Sequence, residues 1–250
     1  MEVHHHPNVE KKRFKEYVLE FIMIFLAVTM GFIAENVRES ITEHRNEKEL
    51  METLIKDLKE DKKLIEKQIE DSRLGIVYSD SLIQMVASGD LMKNTADLYW
   101  YGRMVNRWTA FYNSSRTIDE MKNGGLFHIV KNNDVTNAII AYYAFIPQIR
   151  NFEDRFLVIG HEYRKMFVQI FDAQVVNQMI DRVGMQPQRL TGHPPLMMED
   201  KKTLNELSGW VNALISSRLL IIQFEKTMLD HGENLIMMIK KEYNLEDEGL

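Results

Sequence analysis

Residues 21–34 read FIMIFLAVTMGFIA, an apolar run without a charge. Lys11, Lys12, Arg13 and Lys15 stand just ahead of it. Behind it, residues 47–73 read EKELMETLIKDLKEDKKLIEKQIEDSR, dense in charge and free of helix breakers. Basic tail, greasy run and charged helix, in that order, describe a single anchor holding a helical domain at one face of a bilayer. A membrane-spanning helix needs roughly 20 apolar residues. Widening the run to residues 17–37 reaches that length and takes in Glu20, Glu35 and Asn36. A secretory signal peptide shares the basic start and short apolar centre. Here no small-x-small cleavage site follows, and the helical pattern continues through the place of the cut, so the segment reads as an uncleaved anchor.

The excess of Lys and Arg marks the cytoplasmic flank. Four basic residues lie within five positions before the run, whereas Arg38, Arg45 and Lys48 beyond it are diluted by Glu35, Glu39, Glu43 and Glu47. The N-terminus is therefore expected in the cytoplasm and the remainder in the periplasm, with the anchor in a bacterial inner membrane. This divides the chain into a basic tail (1–16), a transmembrane helix (17–37), a juxtamembrane amphipathic helix (38–76) and a helical domain (77–250).

One heptad register runs from Glu20 to Ile76. Its seam outside the lipid carries Ile41, Met51, Ile55, Leu58, Ile65 and Ile69, interrupted by His44, Lys48, Lys62 and Ser72. A seam repeating every 3.5 residues must be buried against another helix. Two partners satisfy it: a second copy, giving a coiled-coil stalk, or the later helices of the same chain. Within the lipid, Ala27 and Gly31 form a small-xxx-small pair, with Ala34 on the same face, and such residues let helices approach closely. Both features point to a homo-oligomer.

With only 12 Gly and 5 Pro among 250 residues, the rest of the chain suits long helices. The fold expected is all-α, an extramembrane bundle of long antiparallel helices. Gly75 and Ser88-Gly89 punctuate the first helix. Asp90 is placed to cap a helix reaching about Trp108, rich in aromatics (Tyr99, Trp100, Tyr101, Trp108) that suit a packing surface. Thr117 and Glu120 have capping-box spacing for a short helix closed by Asn123-Gly124-Gly125. Residues 127–130 are the one stretch that reads as a strand. A run from Asp134 to about Val183 should kink or split at Pro147, and a last helix spans about Asp200 to Tyr243.

Two stretches resemble an uncharacterised family of small membrane proteins common in Bacteroidota. The first is HHHPNVEKKRFKEYVLEFIMIFLAVTMGFIAENVRES, against the family's EFLMIFLAVxLGFFAExxRE segment. The second is FYNSSRTIDEMKNGGLFHIVKNNDVTNAIIAYY, similar to a short Lys- and Gly-bearing helix, an Ile-x-x-Asn step and a helix ending Tyr-Tyr. Here Gly124 precedes the usual Gly125, and Phe127-His128 replaces a polar-Leu pair. The resemblance covers roughly a third of the chain by local pattern. It implies membrane attachment and a helical domain of unknown function, and it transfers no catalytic residue.

No local motif names a reaction. His161-Glu162 opens like a zinc-protease HExxH but meets Lys165 where the second histidine belongs. His231-Gly232-Glu233 has the HxE of zinc deaminases, which also need cysteine ligands, and the chain has no cysteine. Glu153-Asp154 reads as a solvated face. His4, His5 and His6 are a weak metal-binding candidate or a polar tail. Glu20 is an acid in or beside lipid, which either pairs at the interface with Arg13 or Lys15 or serves an ion or proton path in an oligomer. No cofactor is implied. A formal charge of -6 makes nucleic acid a poor partner. The expected partners are the bilayer, further copies and other envelope proteins. The expected role is a non-enzymatic scaffold or partner-binding subunit; a periplasmic ligand sensor with a separate output partner and a small conducting oligomer are the alternatives.

Overall fold

A computed structural model of the chain describes residues 14–89, 93–184 and 186–245. Helix accounts for 82% of it. Among the described residues no strand forms; the only extended pairings are isolated bridges, Phe171 with Leu196 and Ile180 with Pro187. The helices are α1 (Phe14–Ser88), α2 (Thr95–Val105), α3 (Arg116–Asn123), α4 (Asn133–Ile170), α5 (Ala173–Gln178) and α6 (Lys201–Tyr243). The chain forms two compact units, divided between Met51 and Glu52.

In the first unit, residues 14–37 expose nearly every large apolar side chain: Phe21 is 68% accessible, Ile24 64% and Phe32 67%. An 18-residue window here averages a hydropathy of 2.2 with none of it buried. The helix is long and apolar enough to cross a membrane. The window in α6 also passes that test, at 1.2, but is 39% buried, and its apolar side chains fill the core of the second unit.

The second unit is built on three long helices: α1 from residue 52, α4 and α6. The buried positions on α1 are Leu54, Leu58, Asp61, Ile65, Gln68, Ser72, Gly75, Ser79 and Leu82, spaced three and four apart. That spacing places one stripe of the helix inward. Leu58 and Ile65 share a crevice with Tyr142 of α4 and with Leu229 and Ile236 of α6. Pairings of α4 with α6, Phe145 with His231 and Phe152 with Phe224, run in opposite directions along the two helices. Asp61 and Gln68 of α1 reach Tyr142 and Glu153 of α4, so α1 and α4 run in the same direction. The all-antiparallel expectation is corrected here. Parallel neighbours need a long return connection, and residues 89–132 supply it.

Several local expectations also change. Thr95, not Asp90, opens α2; Asp90 lies outside the described residues. Residues 126–129 form a 3-10 turn rather than a strand, entered through Gly125 at φ 64°. α1 continues past residue 76 to Ser88. α4 runs unbroken through Pro147, with Ile146 and Ile149 buried on either side of it. It ends at Ile170 instead of Val183, because Phe171 turns extended and the Asp172 carboxylate caps α5 by accepting from the Gln174 amide. α6 matches its expected span: Asp200 accepts from the Lys202 and Thr203 amides, and Asn244 closes the helix at φ 49°.

Candidate functional site

The return connection explains where the chemistry of the second unit lies. After α2, residues 106–115 run as an irregular strap back along α1. A strap outside any helix or sheet leaves its buried amides without ladder partners, and each must be paired. Carboxylates from the long helices do this. Glu153 accepts from the Phe111 amide at 2.9 Å and from Gln68 at 2.8 Å. Asp61 accepts from the Ser114 amide and, at 2.9 Å, from the Tyr142 hydroxyl. Asp57 accepts from the Thr117 amide at 3.0 Å. The α3 N-terminus is thus capped by an acid 60 residues earlier in the chain, and no capping box forms. Burial pushes the Asp61 carboxyl up to about 6 against the pull of its two hydrogen bonds, and pushes the buried Tyr142 hydroxyl up as well.

Arg218 of α6 is 1% exposed. It donates through Nη2 to the Val105 carbonyl at 2.9 Å and the Arg107 carbonyl at 2.7 Å, fixing the start of the strap. Its guanidinium lies over the rings of Phe156 (4.7 Å) and Trp108 (5.5 Å), a cation–π arrangement. Among the described residues no carboxylate forms an ion pair with it. Burial lowers its pKa to about 10, partly offset by the field of Asp71. Gly75 makes the approach possible: a Cβ there would stand 2.4 Å from Arg218 Cζ. The glycine read as punctuation is a contact glycine inside a continuous helix. Gly75→Ala should cost about 1–3 kcal/mol in overpacking, offset by about 1 kcal/mol of helix propensity. The net loss is expected as a lower urea midpoint, while a midpoint at or above wild type would show that Arg218 can move aside.

Beside this guanidinium lies a cavity of about 580 Å³, lined by residues that include Gln68, Asp71, Ser72, Trp100, Trp108 and Arg218. An adjoining cavity of about 590 Å³ shares Asn106, Arg107, Gln186 and Pro187 with it. Its wall carries Arg103, Arg107, Arg164 and Arg182 against one acid, Asp181. Cationic side chains therefore gather at this end of an acidic protein.

The residues singled out in the sequence fall elsewhere. Ile55, Leu58, Ile65 and Ile69 are buried in the second unit, with Leu58 and Ile65 facing α4 and α6. For these four, the chain's own helices are the partner. Lys62, the polar interruption, pairs with Glu233 of α6 at 2.7 Å. Met51 is buried and Ile41 is 66% exposed. Ala27, Gly31 and Ala34 are exposed, and nothing lies within 4 Å of a Cβ built at Gly31. Glu20 is half-buried. His161 is exposed, Glu162 pairs with Lys165 at 2.8 Å, and His231 lies against Phe145. Glu153, read as solvated, is buried at the strap. His4, His5 and His6 lie outside the described residues. Among those described, no group of three His, Asp or Glu side chains is placed to hold a metal ion.

No protein-family model, curated protein or solved structure matches the chain. The residues that pairing and burial bring together (Ser72, Trp100, Trp108, Arg218) share no spacing that a sequence motif could capture.

Proposed function

We propose that this is a single-pass membrane protein, anchored in the bacterial inner membrane by residues 17–37. Its N-terminus faces the cytoplasm and its helical domain the periplasm, and it acts by binding rather than by catalysis. The observation that carries the reading is the wholly exposed apolar window of α1. Fully burying a large apolar side chain is worth about 1.5–3 kcal/mol, so a helix exposing this many must find lipid or protein. The basic residues on one flank favour lipid and set the orientation. Ala27, Gly31 and Ala34 remain open for a second copy, which supports self-association within the bilayer. The full-length chain should sediment with membranes and stay there through a sodium carbonate wash. Release into the supernatant would end the reading.

A second reading, a periplasmic ligand sensor, is favoured by one observation: the cavity beside Arg218, whose lining includes buried hydrogen-bond donors left unpaired. Buried donors are otherwise nearly always paired. The scaffold and sensor readings share the anchor and differ in whether this cavity is filled.

A further inference from the structure

Four residues lining the 580 Å³ cavity carry a buried polar atom with no hydrogen-bond partner: Ser72 Oγ, Trp100 Nε1, Trp108 Nε1 and Arg218 Nε. They come from three different elements, α1, α2 with the strap that follows it, and α6. Two of the side chains, Ser72 and Arg218, are each 1% exposed. Three of the four atoms can only donate, and the serine hydroxyl can donate as well. An orphaned buried donor forfeits the hydration it had in water and gains nothing in return, so four around one space ask for an acceptor-rich occupant. The guanidinium adds a positive charge, buried and without an ion-paired carboxylate among the described residues. Trp100 and Trp108, with Tyr78, supply flat apolar wall. The volume lies within the range of small-molecule sites.

We propose that this cavity binds a small organic oxyanion, a carboxylate or phosphate carried on an apolar or aromatic body. The oxyanion is held by Arg218, Ser72 and the two indole N–H groups. The guanidinium supplies the charge, fixed in place by the Val105 and Arg107 carbonyls. The adjoining cavity with its four arginines draws anions toward the site. Asp71, exposed on the lining, opposes an anion and partly offsets Arg218. This inference deepens the sensor reading and is independent of membrane attachment, because binding can be measured on detergent-solubilised protein.

The test titrates the full-length chain in detergent with benzoate, phenyl phosphate and inorganic phosphate. Benzamide serves as the neutral isostere and sodium chloride as the ionic-strength control. Two of the three tryptophans line the cavity, so tryptophan fluorescence reports occupancy alongside thermal stability. Saturable change is expected with benzoate or phenyl phosphate and none with benzamide; whichever of the two binds more tightly identifies the carboxylate or phosphate source. Trp108→Phe keeps the ring wall and removes one donor, and should weaken binding about tenfold at nearly unchanged melting temperature. Asp71→Asn, at an exposed position, should tighten binding a few-fold. Arg218→Met should abolish it, and if that variant does not fold, the other two decide. No saturable response to any anion, equal response to benzamide, or unchanged affinity in both Trp108→Phe and Asp71→Asn overturns the proposal.

Discussion

Asp61→Ala is expected to destabilise the helical domain by about 2–5 kcal/mol, among the largest single-residue losses in the protein. The carboxylate is fully buried and carries two contacts at once. It accepts from the Ser114 amide, and from the Tyr142 hydroxyl at 2.9 Å. Truncation leaves both donors buried without a partner, and each orphan costs roughly 1–3 kcal/mol. The loss should also be local in character. Ser114 sits at the end of the strap, three residues before the Thr117 amide that Asp57 caps, so amide exchange should accelerate across residues 111–117 before it does in α6. Asp61→Asn retains one acceptor and should cost less than half as much. A urea midpoint for Asp61→Ala within error of wild type would mean that water pairs these donors, and that the strap is not tied by α1.

The same residue shows where the sequence stops being readable. The charged stretch from Glu47 to Arg73 announces a helix, and its 3.5-residue repeat announces a buried stripe. Both are present, and the repeat correctly selects Leu58 and Ile65 as inward-facing. But the stripe also includes Asp61, Gln68, Ser72 and Gly75, which hydrophobic periodicity cannot select. These positions are buried because an irregular segment some 50 residues later needs acceptors and space, and no window of local sequence contains both halves of that pairing. The capping-box spacing at Thr117 and Glu120 misleads for the same reason: Asp57 takes the amide that a local side chain would have used. α6 is legible at both ends because its cap, Asp200, and its closing Asn244 are local. Of the cavity, the aromatic cluster in and after α2 is visible as a packing surface, and Trp100 and Trp108 do line it. Arg218 is not, because an isolated arginine in a long helix ordinarily reads as solvated.

Replacing Glu225 with methionine should stabilise the domain at pH 8 and do little at pH 5. Glu225 of α6 is completely buried, and neither of its carboxylate oxygens has a hydrogen-bond partner. Burial, with added repulsion from Glu153, raises its pKa to about 8. In the unfolded chain the group returns to the ordinary value of 4.5. Between these values the folded state holds a proton that the unfolded state has released, so stability falls as pH rises through the window. The contribution is intact below about 4.5 and lost by about 8. Asp61 and Glu153 are displaced in the same direction and add to the slope on the acid side. A tenfold change in a group's acidity corresponds to about 1.4 kcal/mol, which allows a penalty on the order of 3 kcal/mol for wild type at pH 8 once structural relaxation and water penetration are taken into account. Methionine is similar in length, apolar and adaptable, and removes both the charge and the orphaned oxygens. Its melting temperature at pH 8 should exceed that of wild type by roughly 5–10 °C for a domain of this size. The difference should shrink steadily toward pH 5, and wild type should itself melt higher at pH 5 than at pH 8. Equal melting temperatures for wild type and Glu225→Met across that range would show that Glu225 is ionised and solvated in the folded protein. A wild-type melting temperature that rises from pH 5 to pH 8 would reverse the sign and show that carboxylates paired as anions, not the buried neutral acid, govern the domain's response to pH.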